Sequence, residues 1–383
     1  MSDLLKQAAD MRRAHERGRR LPVLGNELCG QPPARAWTSQ DVAEPRLAET
    51  ADAASGPMQD AFGRRVEYLR ISVTDKCNLR CVYCMPEEGL PWLRRSQILD
   101  YEEIHRIVQV MAGMGLRRLR ITGGEPLVRK ELPTLIRMLA SVPGIEDIAL
   151  STNGVLLAPM AEELRDAGVN RVNLSLDSLR PERVDALARR PGSFERIMAG
   201  FDAAERVGFE PLKVNVVVMR GRNDDEIAAF AAVTRERPWH VRFIEVMPVG
   251  DNLDISSEQY VAAAEMLGRV RALGELRPVV GPAGNGPATY FAFPDAPGTV
   301  GVITPMSHNY CDRCNRMRLT ADGQLRPCLF GNLQTNLRDP LRQGDAIEAL
   351  IRHTLRVKPE RHGLVQGSDE GSGGLRALSE VGG

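Results

Sequence analysis

Six of the seven cysteines fall into two groups of three, each with the spacing of metal ligands. Cys77, Cys81 and Cys84 form a C-x3-C-x2-C run, and Cys311, Cys314 and Cys328 follow as C-x2-C-x13-C. Structural zinc takes four ligands, usually in C-x2-C pairs, and the first run offers three with no fourth nearby. Three thiolates suit a four-iron, four-sulfur cluster that leaves one iron without a protein ligand, where four thiolates are the rule. An open iron can bind and activate a small molecule, so the pattern predicts chemistry rather than scaffolding. Lys76 and Arg80 beside the first run argue against three apolar buried thiols. For the second run spacing alone does not decide, because His308 would serve as a fourth zinc ligand. Triplets in a chain this large do not make a disulfide framework. Cys29 stands alone in a polar stretch and reads as a free thiol without a role.

The chain that must position these residues has 383 of them, with 50 basic and 50 acidic. That length allows one large α/β domain with additions, or two ordinary ones. The even charge gives no bulk field to recruit nucleic acid or an anionic membrane, so a bound anion must be held by a local cluster of Arg and Lys. No stretch has the apolar length of a membrane span. The first residues carry Asp3, Asp10 and Glu16 and no apolar signal core, so a cytoplasmic protein is expected.

Residues 1–62 lack sustained apolar periodicity and read as a disordered extension with at most a short helix near 4–17. Order is expected from Tyr68. From there β-branched runs at 68–74, 118–122, 147–151, 171–176, 212–218 and 240–246 alternate with helical patterns at 101–114, 132–140, 160–167, 194–207 and 225–234. This is an α/β pattern, and six β/α units over 63–272 predict a partial (β/α)6 TIM-like barrel with right-handed crossovers.

The strand exits are polar. The first runs into Asp75 and the cysteines, the second into Gly123-Gly124-Glu125-Pro126, and the third into Ser151-Thr152-Asn153-Gly154. The fourth gives Ser175 and Asp177, the fifth carries Lys213 and Asn215, and the sixth reaches Glu245 and Met247. One such exit would be ordinary turn chemistry. Six in register mark the mouth of an α/β barrel, where active sites sit. From 273 a Gly- and Pro-rich stretch, a hairpin of 289–293 and 299–303, the second triplet and a helix at 341–353 suggest an α+β cluster-binding subdomain over 273–365. Residues 366–383 read as a flexible linker and a Gly-Gly tail.

Cys77, Cys81 and Cys84, with Tyr83 before the last, and Gly123-Gly124-Glu125-Pro126 resemble the two signatures of the radical S-adenosylmethionine (SAM) superfamily. The second triplet stands in Cys311-Asp312-Arg313-Cys314-Asn315-Arg316-Met317-Arg318, followed by Leu325-Arg326-Pro327-Cys328-Leu329-Phe330. This context resembles the C-terminal region of the GTP 3′,8-cyclases, which begin molybdenum-cofactor biosynthesis. The resemblance covers about 62–363 and the last few residues.

The resemblance implies a lyase with SAM and two 4Fe–4S clusters, converting GTP to (8S)-3′,8-cyclo-7,8-dihydroguanosine 5′-triphosphate through a 5′-deoxyadenosyl radical. SAM would chelate the open iron of the first cluster, and guanine would meet the open iron of the second. The radical would remove the ribose 3′ hydrogen, and C3′ would then attack C8. By position, Tyr83, Gly124, Ser175 and Met247 would line the SAM site. Arg70, Arg120, Ser151, Lys213, Arg316, Met317 and Arg318 would contact GTP. Arg316, Arg318 and the terminal Gly382 and Gly383 are the candidates for a part in catalysis, the family's Gly-Gly tail being one that enters the site. The physics is compatible, since forked, permanently charged guanidiniums match phosphate oxygens, and residues two apart on a strand share a face.

The resemblance also implies an electron donor such as flavodoxin or ferredoxin and a cyclic pyranopterin monophosphate synthase that takes the product; it leaves a homodimer open. Ser151, Leu79, Tyr310, Leu378 and Val381 stand where relatives more often have Thr, Phe, Phe, Met and Ile, all mild departures. Two other readings remain: another two-cluster radical SAM enzyme, for example a peptide-modifying one, and a non-enzymatic metal-binding module.

Overall fold

Strands that alternate apolar and polar side chains between helices must put one set against the helices and the other inside a curled sheet. The computed structural model, which describes residues 56–247, 249, 257–284, 286–362 and 376–382, has this arrangement. Strands β1 (Tyr68–Ser72), β2 (Arg118–Thr122), β3 (Asp147–Thr152), β4 (Arg171–Ser175), β5 (Leu212–Val218) and β6 (Trp239–Glu245) lie side by side in chain order, all parallel. Between them run α1 (Tyr101–Gly113), α2 (Leu132–Ala140), α3 (Ala161–Ala167), α4 (Pro181–Ala188), α5 (Ser193–Arg206) and α6 (Ile227–Val233), and α7 (Ala263–Arg271) follows β6. Leu69, Ile71, Leu119, Ile121, Val172, Leu174, Val214, Val241 and Phe243 are buried against this helical layer in one core.

Local sequence accounts for the element ends. Asp100 accepts from the Glu103 amide at 2.7 Å and Glu103 accepts from the Asp100 amide at 2.8 Å, a reciprocal cap that starts α1. Pro181 at the first helical position starts α4, a short helix that the sequence pattern did not predict. The single helix expected over 341–353 is instead two, α8 (Arg338–Gln343) and α9 (Glu348–Arg356), because Gly344 with φ 84° terminates the first.

Order also starts before Tyr68. Met58 is buried, its amide donates to Met114 O at 2.9 Å, and Asp60 ties a turn together by accepting from the Phe62 and Arg64 amides at 3.0 Å. Residues 1–55 of the expected extension, with Cys29, the last three residues of the expected subdomain, 363–365, and 366–375 of the expected linker lie outside the described residues.

Residues after 272 continue the same sheet at both edges. The expected hairpin is β8 (Thr289–Ala292) with β9 (Thr299–Ile303); β9 pairs parallel with β6, and an additional strand, β7 (Arg277–Val279), pairs with β8. On the other side β10 (Arg316–Leu319) pairs parallel with β1, followed by β11 (Gln324–Arg326) and β12 (Thr335–Asn336). No hydrogen bonds join β12 to β7 among the described residues, so the barrel is partial.

Glu245, fully buried at the end of β6, fastens the segment before the second triplet. It accepts from the Met306 and Ser307 amides at 3.0 Å, from Tyr260 Oη at 2.9 Å, from the Ala263 amide at 3.0 Å and from Ser307 Oγ. Glu245→Ala would strand these donors, and a loss of about 3 kcal/mol is expected, read as a lowered midpoint in thermal or denaturant unfolding.

Candidate active site

The first triplet leaves β1 and is buttressed by the exit of β2. The Gly124 amide donates to Thr74 O and the Glu125 amide to Lys76 O, both at 2.8 Å. A Cβ at Gly124 would lie 2.5 Å from Lys76 O and 2.6 Å from Asp75 O, so no larger residue fits. Glu125 is pushed up to about 7 by burial, against the pull of its bonds from the Asn153 amide, Thr152 Oγ1 and the Leu127 amide. Asn153 reaches back, its Nδ2 donating to Asn78 Oδ1 at 2.8 Å and lying 3.9 Å from Cys77 Sγ. Tyr83 donates to Asp177 Oδ2 at 2.8 Å, and Asp177, held by the Val217 amide, is raised by burial to about 6. A cavity beside the triplet is lined by Cys81, Tyr83, Asn153, Ser175 and Asp177. Met247 packs against the same apolar cluster as Tyr83 and Cys84. Of the residues expected to meet SAM, Tyr83 and Ser175 therefore line the cavity, Gly124 abuts the start of the cysteine loop and Met247 lies by Cys84's side of it.

Burial pushes the Cys77 thiol up to about 11 and the Cys84 thiol up to about 12, and Cys81 rises well above its ordinary value, with its two neighbours adding to the effect. With burial against every thiolate, and neighbouring cysteines adding to it at Cys81 and Cys84, the three thiols will not ionise together alone. A polycationic iron–sulfur core would displace their protons, so the donor set fits the cluster the sequence predicts.

The second triplet opens on a 3-10 turn, Cys311–Arg313, and closes on Cys328 after β11. Its thiols also sense one another, and Arg64 Nη1 donates to Cys311 O at 2.8 Å. Burial raises Cys314, but the charges of Lys358 and Arg316 outweigh it and bring the thiol below its ordinary value. His308, the alternative zinc ligand, is exposed. Val249, Phe330 and Leu378 form an apolar cluster that touches Cys84 on one side and Cys328 on the other, so both triplets border one interior.

Between them lies a row of cations set by strand register. Arg318, Arg70 and Arg120 are side-by-side partners on β10, β1 and β2; Ser151, Asn173, Lys213 and His240 are partners on β3 to β6. Arg120 donates to Ser151 Oγ at 3.1 Å and to the Tyr68 hydroxyl. Arg316 and Arg318 share a face as expected, with Arg316 over the Tyr310 ring at 5.0 Å. Met317 does not share that face: its side chain is fully buried in the core. Opposite strand parity leaves only its backbone on the site side.

Four members of the site were not found by sequence reading: Arg242, Arg171, Asn173 and Lys358. Arg242 is buried and donates to Asn215 Oδ1 at 2.5 Å; among the described residues its Nε and Asn173 Oδ1 have no hydrogen-bond partner. Arg171 pairs with Asp147. A signal was available, since buried parallel strands are ordinarily apolar on both faces, and β4 to β6 carry Arg, Asn, Lys and His at alternate positions.

Lys213 concentrates the consequence. It is 2% exposed, its Nζ donates to Ala283 O at 2.5 Å, and burial with the charges of Arg242, Arg171 and Arg120 lowers it to about 6. Above about pH 6 the ammonium is therefore mostly discharged, whereas a phosphate beside it would favour the protonated form. A polyphosphate ligand is expected to bind with uptake of a proton at pH 7–8 and more weakly as pH rises. Calorimetry in buffers of different ionisation enthalpy checks this, and Lys213→Met should abolish the uptake.

The tail docks at the same mouth. Arg318 Nη1 donates to Val381 O at 3.2 Å and Gly382 O at 2.8 Å, and Arg376 pairs with Asp322 at 3.0 Å. Gly382 has φ +73°, and a Cβ there would lie 2.7 Å from Thr122 Cγ2, so both conformation and space call for glycine. Gly383 lies outside the described residues.

Comparison with known proteins agrees with this geometry. A model described as the Radical SAM superfamily matches residues 71–233, and one described as Molybdenum Cofactor Synthesis C matches 239–364. The GTP 3′,8-cyclase of Pelotomaculum thermopropionicum is 49% identical over 333 residues, covering 85% of this chain and 100% of its own. That of Moorella thermoacetica is 46% identical over 329 residues, with the same coverage. Streptococcus suis SuiB bound to S-adenosylmethionine shares the fold, with a TM-score of 0.54 at 15% identity, over 72% of this chain and 65% of that one. The chain belongs to the GTP 3′,8-cyclase family within the radical SAM superfamily.

Proposed function

We propose that the protein converts GTP to (8S)-3′,8-cyclo-7,8-dihydroguanosine 5′-triphosphate, the first step of molybdenum-cofactor biosynthesis. One observation carries the reading: two thiol triplets border one interior that is lined by Arg70, Arg120, Lys213, Arg242 and Arg318. Four guanidiniums beside a lysine that a phosphate would recharge call for a polyanion, and the triplets call for iron–sulfur clusters at either end. A 4Fe–4S cluster at Cys77, Cys81 and Cys84 with SAM supplies a carbon radical by one-electron cleavage of the sulfonium; Cys311, Cys314 and Cys328 hold the second cluster.

The chain's own residues bind and orient. Tyr83, Ser175 and Met247 line the SAM site, and Gly124 keeps its wall free of side chains. Asp177 fixes the Tyr83 hydroxyl by accepting its hydrogen bond. Lys213, Arg242, Arg120 and Arg70 take the triphosphate, where guanidinium forks fix phosphate oxygens. Arg316 and Arg318, aimed by β10, hold the nucleoside between the triplets, and the Gly382 turn closes over Thr122 and Ser72. Val249, Phe330 and Leu378 exclude water from the interior. Among the described residues no helix is long and apolar enough to cross a membrane. A cytoplasmic setting with a flavodoxin- or ferredoxin-type donor, and a downstream cyclic pyranopterin monophosphate synthase, completes the reading.

The test is anaerobic incubation of the iron-reconstituted protein with SAM, dithionite and GTP, followed by mass analysis of the nucleotides. The cyclised nucleotide and 5′-deoxyadenosine should rise together and only with GTP. Formation of 5′-deoxyadenosine at the same rate without GTP, with no cyclised nucleotide, would overturn the assignment.

A further inference from the structure

Lys358 lies just beyond α9, at 3% exposure. Its Nζ donates to Pro327 O at 2.5 Å and to Arg316 O at 3.0 Å, and lies 3.5 Å from Cys314 Sγ. Pro327 immediately precedes Cys328, and Arg316 follows Cys314 by two residues. One ammonium therefore spends its three protons on the segments that carry two of the three cysteines, and on a sulfur.

Burying an ammonium costs several kcal/mol unless a counter-charge faces it. Two neutral carbonyls are not one, and no Asp or Glu pairs with Lys358 among the described residues. The counter-charge on offer is the sulfur set itself. A 4Fe–4S core held by three thiolates is net negative, and it becomes more so on taking up an electron.

The first triplet has the opposite surroundings. Asp177 faces Cys81 and Cys84, Glu125 faces Cys77, and the cations around the run aim elsewhere: Arg80 Nη1 donates to the Cys77 and Leu79 carbonyls, Arg190 Nη1 donates to Asn78 O, and Lys76 is exposed.

We propose that Lys358 is a positioning residue for the second triplet, holding the Cys314 and Cys328 segments together and balancing the charge of their cluster so that it takes up an electron more easily than the first. Reduction potentials of iron–sulfur clusters respond to net charge and to hydrogen bonds at the sulfurs, which are the two things this ammonium supplies. The step concerned is uptake of one electron from an external low-potential reductant, with no bond made or broken. The proposal rests on the reading of Cys311, Cys314 and Cys328 as a cluster site.

The experiment is an anaerobic redox titration with dithionite, followed by electron paramagnetic resonance, without SAM or GTP. It uses the full chain as wild type, Lys358→Met and Lys358→Arg, each with its iron counted, and the same set with Cys77, Cys81 and Cys84 changed to Ala to isolate the second signal. In Lys358→Met the second cluster should titrate at lower potential, its reduced-to-oxidised ratio at fixed potential falling about tenfold, which is about 59 mV for a one-electron couple. The first cluster should not move, and Lys358→Arg should restore the wild-type value.

Equal potentials in wild type and Lys358→Met, both fully loaded, would overturn the proposal. If Lys358→Met does not retain the second cluster, recovery of cluster and potential by Lys358→Arg supports it, and failure of both variants to load overturns it. A wild-type chain with iron for one cluster only would sink the two-cluster reading instead, a result the iron count shows before any titration.

Discussion

Gly124→Ala is expected to abolish SAM cleavage while leaving the second triplet loaded. The added methyl would lie 2.5 Å from Lys76 O and 2.6 Å from Asp75 O, both backbone atoms immediately before Cys77. Side chains yield to such a contact by changing rotamer; a strand exit pinned by the Gly124-to-Thr74 and Glu125-to-Lys76 hydrogen bonds does not. The strain must move the cysteine loop or the wall of the SAM cavity. Misplacement of reacting groups by about 1 Å costs on the order of 10²-fold in rate, so 5′-deoxyadenosine formation should fall by at least about that factor. Iron content and the spectrum of the second cluster serve as controls for folding. Wild-type cleavage by Gly124→Ala would mean that this buttress does not position the triplet.

Arg318→Ala should be nearly as damaging, by a different route. Its guanidinium holds Val381 O and Gly382 O, and its strand partner Arg70 lies beside it. Hydrogen bonds from a charged donor are worth about 1.5–3 kcal/mol each, so losing two would shift the docked tail toward release by about 10²-fold or more. Removing a cation from the substrate row weakens GTP binding as well. The expected result is a fall of about 10²-fold or more in kcat/KM for GTP, with SAM affinity unchanged and residues 376–382 newly open to carboxypeptidase. Deleting the tail from residue 376 onward should cost much less in the Arg318→Ala background than in the wild type, because coupled groups are not additive. Full additivity would show that Arg318 acts on GTP alone.

The central strands were legible because parallel strands covered by helices read as β-branched runs, and those of β2 and β5 agree with the structure residue for residue. The short pieces were harder. Nothing periodic announces α4, eight residues opened by Pro181, or β7, a three-residue exposed edge with Pro278 inside it. The cysteines were legible from type and spacing and the glycines of the β2 exit as part of a polar strand end, whereas the Arg316–Arg318 pair came only through the family resemblance. Met317 came with its neighbours through the same resemblance, and strand parity turns its side chain into the core. Arg242 needed the register that sets β6 against β5, since its meaning comes from lying near Lys213 and Asn215. Lys358 could not be read at all. Its partners Arg316 and Pro327 are 42 and 31 residues earlier in the chain, and only the folded structure brings them to its ammonium.

Transfer of hydrogen from the ribose of GTP is the central claim, and one labelling measurement tests it most directly. GTP carrying deuterium at C3′ is incubated with the reconstituted protein, SAM and reductant, and the recovered 5′-deoxyadenosine is weighed by mass spectrometry. One deuterium in 5′-deoxyadenosine, with its loss from the cyclised nucleotide, is the predicted result. Unlabelled 5′-deoxyadenosine formed while GTP is consumed would contradict it.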